Sequence, residues 1–309
     1  MTRSFTRRGS LLAFAAAAAF TAAAPMTLAA EPDVGVLVMA HGGGPKWNGE
    51  VEAMLAPLHK DYPLEIAFGM ADPASLQEAV GRLEARGVRR IAVVRLFISG
   101  ESWFERTEQI LGLRAGAPAR PAPSAHPGHD PHGGHNMDLW RIDTTSTFAL
   151  TTEGLAEAPE MGAVLVERAR ALSQDPARES VLILGHGPED DAENERWLAR
   201  IDARAAAVRG ALPFRRVQVE TLREDWPEKR ADAEARIRAF VAEAGKDGGR
   251  AIVIPYRVAG FGPYASVLKD LTYVSDGKGL IPSVGVEQWV RRQVEALRSG
   301  PFRAPVPGE

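Results

Sequence analysis

The chain of 309 residues contains no cysteine. It can form no disulfide, no thiolate metal site and no thiol nucleophile, so a metal site must be built from imidazole and carboxylate groups. Several enzyme signatures are also missing. The sequence has no Gly-x-Ser-x-Gly elbow, no Gly-Lys-Ser/Thr phosphate loop and no Gly-x-Gly-x-x-Gly turn. These absences argue against an esterase and against a nucleotide-binding protein.

The chain has no excess of basic charge, because 37 Lys and Arg face 40 Asp and Glu and give a formal net charge of −3 at pH 7. Residues 1–30 include three arginines and no acid, so the rest of the chain has 34 basic and 40 acidic residues and a net charge of −6. This balance argues against a nucleic-acid partner. The apolar run from Leu11 to Ala24 is shorter than the roughly 20 residues that span a membrane, so we expect no stable membrane anchor.

The first thirty residues have the pattern of an export signal. Arg3, Arg7 and Arg8 precede the apolar run, and small residues follow it up to Ala30. We interpret residues 1–30 as a signal peptide, which predicts a periplasmic or secreted protein. The stretch around Arg7 and Arg8 is similar to a twin-arginine signal, and the general secretory route is the alternative.

After residue 33, apolar strands alternate with helices. The first half has predicted strands at 34–40, 64–69 and 91–98 and helices at 50–62 and 72–85. The second half has predicted strands at 181–184, 216–222 and 251–258 and helices at 193–210 and 227–244. Such alternation is typical of parallel sheets covered by helices on both faces.

The two halves repeat the same order of elements, which indicates a tandem duplication. The predicted fold class is therefore α/β, with two tandem domains, each a parallel sheet of about four strands flanked by helices. The predicted domains are residues 31–173 and 180–309, with the linker near residues 173–180.

A histidine follows the first strand of each half, in His41-Gly42-Gly43 and in Gly185-His186-Gly187. Ligand sites in open α/β folds lie at the carboxyl ends of the strands, so His41 and His186 are the predicted catalytic and metal-binding residues. The alternative is that each ring only hydrogen-bonds its own turn. The functional interpretation requires both rings to line one cleft.

The sequence around these turns resembles the class II tetrapyrrole chelatases, the sirohydrochlorin cobaltochelatase and ferrochelatase family. The resemblance is carried by His41-Gly42-Gly43, residues 67–70, 73–79, 91–100 and 155–169, and more loosely by Gly185-His186-Gly187, Pro227 and residues 252–256. It implies that a divalent metal, cobalt or else nickel or iron, is inserted into a sirohydrochlorin-like tetrapyrrole without a nucleotide cofactor. It also implies that His41 is the metal ligand or the base, with His186 in the equivalent place.

The chain departs from the family after the third strand of each half, where the family usually carries a second histidine. Neither residues 100–105 nor residues 259–264 contain one. Three replacements remain open: Glu101 or Glu105 as a carboxylate ligand, His186 facing His41 across the cleft, or a histidine from the tract described below.

Six further residues are predicted to contact the substrate: Gly42, Gly43, Arg95, Trp103, Arg257 and Tyr264. The glycines would let a flat macrocycle approach the backbone. The aromatic side chains would stack on the ring, and the arginines would bind its carboxylates. The alternatives are that the aromatic residues only pack and that the arginines form ion pairs at the strand ends.

A stretch at residues 115–138 is rich in Pro, Gly and Asp and is predicted to be a loop. Its histidines recur at every third residue: His126, His129, His132 and His135. In an extended, polyproline-like chain they would share one side and could bind Co²⁺, Ni²⁺, Zn²⁺ or Cu²⁺. The alternatives are a solvated linker, or a non-catalytic exported metal- or tetrapyrrole-binding protein in which this tract collects metal for delivery.

Overall fold

The computed structural model describes residues 1–2, 34–121 and 138–306. The predicted signal peptide, apart from its first two residues, and the four histidines of the tract lie outside these residues. The described residues from 34 onward belong to one compact unit. In the described ranges, none of the helices has the length and apolar character needed to cross a membrane.

The first half forms a four-stranded parallel sheet in the order β2-β1-β3-β4. Its strands are β1 (Gly35–Ala40), β2 (Leu64–Phe68), β3 (Arg90–Leu96) and β4 (Thr147–Leu150). Its helices are α1 (Pro45–Leu55), α2 (Pro73–Ala85), α3 (Phe104–Ile110) and α4 (Glu160–Leu172). A 3₁₀ turn at Ala56–Lys60 follows α1.

The second half repeats this arrangement in the order β6-β5-β7-β8, again with every pair parallel. Its strands are β5 (Glu179–Gly185), β6 (Arg216–Thr221), β7 (Arg250–Tyr256) and β8 (Tyr273–Val274). Its helices are α5 (Asp191–Ala211), α6 (Pro227–Ala244), α7 (Tyr264–Val267) and α8 (Val284–Arg298). The predicted fold class, two four-stranded parallel sheets flanked by helices, is confirmed.

Local sequence explains where these elements lie. Every residue of β1 and β5 is buried, as expected for central strands covered on both faces. Asp72 caps α2 by accepting a hydrogen bond from the Ser75 amide at 2.7 Å, and Pro73 occupies the first helical position. Helix α1 begins at Pro45, five residues earlier than expected, because proline also fits the first turn there.

The helices do not follow the division into halves. Helix α4, the last helix of the first half, packs on α5 and β7, and α8, the last helix of the second half, packs on β3, β4 and α1. One hydrophobic core accordingly contains buried residues of both halves, among them Val36, Val181 and Trp289. Apart from Glu179, the first residue of β5, each sheet lies within one predicted domain. The last helices of the two halves, α4 and α8, are exchanged, since each packs on the other half.

Candidate functional site

One cleft of about 940 Å³ opens at the carboxyl ends of the strands of both sheets. Its volume is within the range of small-molecule sites. Loops after six strands supply its walls, as expected for ligand sites of open α/β folds. The lining residues are His41, Met70, Phe97, Ile98, Glu101, Ser102, Trp103, His186, Pro188, Glu189, Asp190, Glu193, Trp197, Glu224, Asp225, Trp226, Lys229, Arg257, Val258 and Ala259.

Both strand-end histidines line this cleft. Nδ1 of His41 donates to the carbonyl oxygen of Gly42 at 2.8 Å, and Nδ1 of His186 donates to that of Gly187 at 2.9 Å. A carbonyl can only accept, so the proton of each neutral ring lies on Nδ1 and the lone pair on Nε2. Nε2 is then the nitrogen suited to bind a metal or to take a proton. The catalytic roles of both histidines stay predictions.

A tryptophan from the next helix supports each histidine turn. Trp47 Nε1 donates to the His41 carbonyl at 2.7 Å, whereas Trp197 packs edge-on against the His186 ring at 4.9 Å between centroids. Gly43 makes room for Trp47, since a Cβ on Gly43 would lie 2.5 Å from the indole. Neither Gly42 nor Gly43 lines the cleft, so the structure does not place them against a substrate.

The surroundings of His186 disfavour its charged form. Burial at the floor of the cleft lowers the pKa of His186 to about 4, and the charges of Arg257 and His41 lower it further. The hydrogen bond to the Gly187 carbonyl and the charge of Asp225 act in the opposite direction. His186 is therefore a neutral imidazole at pH 7, the form that binds metal ions.

Arg257 reaches the cleft, as the prediction of a substrate-binding arginine requires. Its guanidinium forms an ion pair with Glu224 and lies 5.5 Å from the centre of the Tyr264 ring. Burial raises the pKa of Glu224. Gly262, in the left-handed region at φ +59°, makes this packing possible, because a Cβ there would lie 2.4 Å from the guanidinium.

Arg95 does not reach the cleft. Its side chain is 1% exposed, and its guanidinium donates to the carbonyl oxygens of Gly100 at 2.5 Å, Ser102 at 2.7 Å and Thr151 at 2.8 Å. Burial lowers the pKa of Arg95 to about 10. Arg95 ties the loop after β3 to the loop after β4, which corrects the prediction that it binds substrate carboxylates.

Strand register explains why the two arginines differ. Leu96 is the last residue of β3 and Tyr256 the last of β7. The counterpart of Arg257 is therefore Phe97, and Arg95 lies two positions earlier, inside its strand. Arg95 and Arg257 are therefore not at equivalent positions of the two halves, although both were predicted to bind substrate carboxylates.

The two predicted carboxylate ligands are both held by arginines. Glu101 lines the cleft but receives hydrogen bonds from Arg196 at 2.6 and 3.0 Å and lies 2.9 Å from Arg200, and these arginines lower its pKa. Glu105 is exposed, pairs with Arg114 at 3.0 Å and does not line the cleft. The structure therefore does not support Glu105 as a ligand in the cleft.

Of the two predicted aromatic contacts, one lines the cleft and the other does not. Trp103 lines the cleft and has a left-handed backbone, φ 59°, which is unusual for a bulky residue. Tyr264 is fully buried in the core of the second half, and this burial raises its pKa. Tyr264 therefore packs, as the alternative interpretation expected, and does not face the cleft.

Sequence reasoning missed the other aromatic and acidic residues of the cleft. Trp197 and Trp226 line it, as do four carboxylates that form no ion pair within the described part of the chain: Glu189, Asp190, Glu193 and Asp225. The sequence could have indicated these residues, because they lie close in sequence to the turn of His186 or to the end of β6. Among residues 34–121 and 138–306, no group of three or more histidine or acidic side chains could hold a metal ion.

No family model matches the chain. A segment of 91 residues is 32% identical to a sirohydrochlorin cobaltochelatase of Methanothermobacter thermautotrophicus. The match covers 28% of this chain and 64% of that protein, so it spans less than two thirds of the relative.

Solved structures show the fold. SirB from Bacillus subtilis with Fe³⁺ is similar at a TM-score of 0.58 and 14% identity, over 86% of this chain and 96% of that one. The chain therefore has the fold of SirB. A second structure is the sirohydrochlorin chelatase SirB from Bacillus subtilis subspecies spizizenii in complex with cobalt. Its TM-score is 0.46 at 13% identity, over 86% of this chain and 83% of that one.

Proposed function

We propose that this protein inserts a divalent metal ion into a tetrapyrrole bound in the cleft. The observation that carries the proposal is that His41 and His186 line one cleft of about 940 Å³, each with Nδ1 bonded to a carbonyl and Nε2 as the basic nitrogen. The sequence similarity to a cobaltochelatase and the shared fold of SirB support it.

The reaction requires a group that holds the metal ion and a group that accepts protons. A metal-free tetrapyrrole loses two pyrrole protons when a divalent ion enters, and neutral imidazole can both bind the ion and take a proton. We propose cobalt as the metal. Nickel and iron are the alternatives, because imidazole accepts all three. The proposed macrocycle is sirohydrochlorin-like, and His186 takes the place of the family's second histidine.

A spectroscopic assay tests this function. Purified full-length protein is mixed with Co²⁺ and sirohydrochlorin, and the absorption change of metal insertion is compared with the uncatalysed rate. We expect His41→Ala and His186→Ala each to lower turnover by on the order of 100-fold, because a positioned base or ligand is lost. His59→Ala is the matched control, since His59 is an exposed histidine outside the cleft and its loss should leave the rate unchanged.

A non-catalytic metal- or tetrapyrrole-binding protein is the second candidate. It is favoured by the lack of a three-ligand group among the described residues and by the paired state of Glu101. Turnover separates the two functions: binding of Co²⁺ or sirohydrochlorin without acceleration over the uncatalysed rate would identify a carrier and contradict the enzyme.

We also propose that the protein is exported. The support is the charge and apolar pattern of residues 1–30. If the route is the twin-arginine one, Arg7→Lys/Arg8→Lys should keep the protein in the cytoplasm, as measured by cell fractionation and immunoblotting. Unchanged export of this variant would indicate the general secretory route, and a cytoplasmic wild type would contradict export.

A further inference from the structure

The wall of the cleft contributed by the first half is mostly apolar. Besides His41, its residues are Met70, Phe97, Ile98, Glu101, Ser102 and Trp103. Glu101, its charged member, is neutralised by Arg196 and Arg200. This wall therefore offers thioether, aliphatic and aromatic surface with little net charge.

The wall contributed by the second half includes Trp197 and Trp226 but is acidic in charge. Its charged residues are Glu189, Asp190, Glu193, Glu224, Asp225, Lys229 and Arg257. Both cations already have partners: Lys229 donates to Asp191 at 2.7 Å, and Arg257 pairs with Glu224. The remaining four carboxylates have no ion pair in the described structure, so this wall carries a net negative charge.

A divalent cation and a planar macrocycle need opposite surroundings. Negative charge on the wall of a cleft concentrates cations and speeds their arrival, whereas it repels the carboxylates of a tetrapyrrole. An apolar wall buries the face of an aromatic ring and does nothing to attract an ion. The metal ion and the macrocycle are therefore expected to bind to different walls of the cleft.

We propose that the second-half wall receives the metal ion and that the first-half wall seats the macrocycle. This inference rests on the proposed function and gives the two histidines different tasks. His186, on the acidic wall, binds the metal ion, and His41, on the apolar wall, takes the protons of the ring.

The contacts of His186 suit it to hold a metal ion. Trp197 packs edge-on against its ring at 4.9 Å and donates its indole N–H to Glu193 at 3.1 Å. The same tryptophan thus fixes the imidazole and one of the acidic side chains of the wall. With Nδ1 bonded to the Gly187 carbonyl, Nε2 is the ligand nitrogen.

The proton transfers balance without a further reactant. Each pyrrole N–H bond that breaks leaves its electron pair on nitrogen, which forms a bond to the metal ion, and its proton passes to Nε2 of His41. His41 is partly exposed and passes this proton to water before the second N–H bond breaks. One divalent ion enters and two protons leave, with no oxidation or reduction.

Substitution of the two walls tests this division. In the proposed assay with Co²⁺ and sirohydrochlorin, Glu189→Gln/Asp225→Asn should raise KM for Co²⁺ about three- to tenfold at low salt and leave KM for sirohydrochlorin unchanged or lower. Glu195→Gln/Glu228→Gln is the matched control, because it removes the same charge from exposed positions of α5 and α6 outside the cleft. Concentrated salt should abolish the difference.

The apolar wall and the two histidines provide the reciprocal tests. Met70→Gln should raise KM for sirohydrochlorin and leave KM for Co²⁺ unchanged. A bulky, non-coordinating base such as 2,6-lutidine should partly restore turnover to His41→Ala, which lacks the proton acceptor. It should not restore turnover to His186→Ala, which lacks the metal ligand.

The outcomes separate this inference from the proposed function. Turnover by the wild type, with equal KM values for Co²⁺ in the acidic-wall variant and its control, overturns the division of the cleft and leaves the function standing. Rescue of His186→Ala but not of His41→Ala by lutidine also overturns the division. A wild type without turnover overturns both.

Discussion

His41 and His186 occupy the same kind of turn but not the same surroundings. Both donate from Nδ1 to the next residue's carbonyl, and the His186 ring also packs against the indole of Trp197 and has its pKa lowered to about 4. The burial of His186 affects stability in a way that can be measured without any substrate.

Acid sensitivity should depend on His186. Its folded pKa of about 4 lies below its value of 6.5 when unfolded, so the unfolded chain binds the proton first as pH falls. The resulting loss of stability is absent above pH 6.5, grows between pH 6.5 and pH 4, and reaches about 3 kcal/mol at roughly 1.4 kcal/mol per pH unit.

Urea unfolding of metal-free protein at pH 7 and pH 4.5 checks this prediction. His186→Asn should lose about 2 to 3 kcal/mol less than the wild type between the two pH values. His59→Asn, at an exposed position, is the control and should behave like the wild type. An equal loss in the wild type and in His186→Asn would show that the pKa of His186 is not lowered by folding.

Arg95 and Arg257 should respond differently to loss of charge. Arg95→Met leaves three buried carbonyl acceptors without their donor, which should lower the free energy of unfolding by about 2 to 4 kcal/mol. Arg257→Gln, which changes a residue that lines the cleft, should have the smaller effect on urea unfolding and the larger effect on turnover. The opposite pattern would contradict the placement of Arg257 in the cleft and of Arg95 outside it.

At the level of elements, the exchanged helices decide how the two sheets are joined. The last helix, α8, lies on β3 and β4 of the first sheet, and Trp289 anchors it. The indole of Trp289 is fully buried, and its N–H donates to Glu153 at 2.9 Å. The C-terminal helix is thus part of the core of the N-terminal half.

Removal of this anchor should be costly. Trp289→Ala is expected to lower the free energy of unfolding by about 3 to 5 kcal/mol, as large-to-small core substitutions do. The control on the same helix is Val284→Ala, because Val284 is 69% exposed. Urea titration followed by circular dichroism measures both, and a loss below 1 kcal/mol in Trp289→Ala would contradict the packing of α8 on the first sheet.

At the scale of the whole molecule, the described residues from 34 to 306 belong to one compact unit although they hold two sheets. The exchanged helices and the shared core make each half incomplete without the other. The cleft also requires both halves, because His41 and His186 come from different halves.

Unfolding should therefore occur in a single step. Tryptophan fluorescence and far-ultraviolet circular dichroism should give coincident urea transitions. Residues 31–173 and 180–309, produced separately, should remain largely unfolded and should fold when mixed. Two resolved transitions, or a stable isolated half, would show that the halves are independent domains.

Much of the fold could be predicted because its signals are local. The buried runs of β1 and β5, the Asp72 cap of α2 and the prolines that begin α2 and α6 are set by neighbouring residues, and the repeat of these elements indicated two similar sheets. The glycines and Arg95 could not be assigned correctly, because their roles depend on what packs against them.

The sequence by itself determined that a histidine ends the first strand of each half, since strand patterning and chain direction fix that position. Only the tertiary structure decided that both histidines line one cleft, that Arg257 and not Arg95 reaches it, and that one wall is acidic. The physical reason is distance along the chain. These features depend on strand register and on the packing of α4 and α8 against the opposite sheet, which bring together segments more than 50 residues apart in sequence.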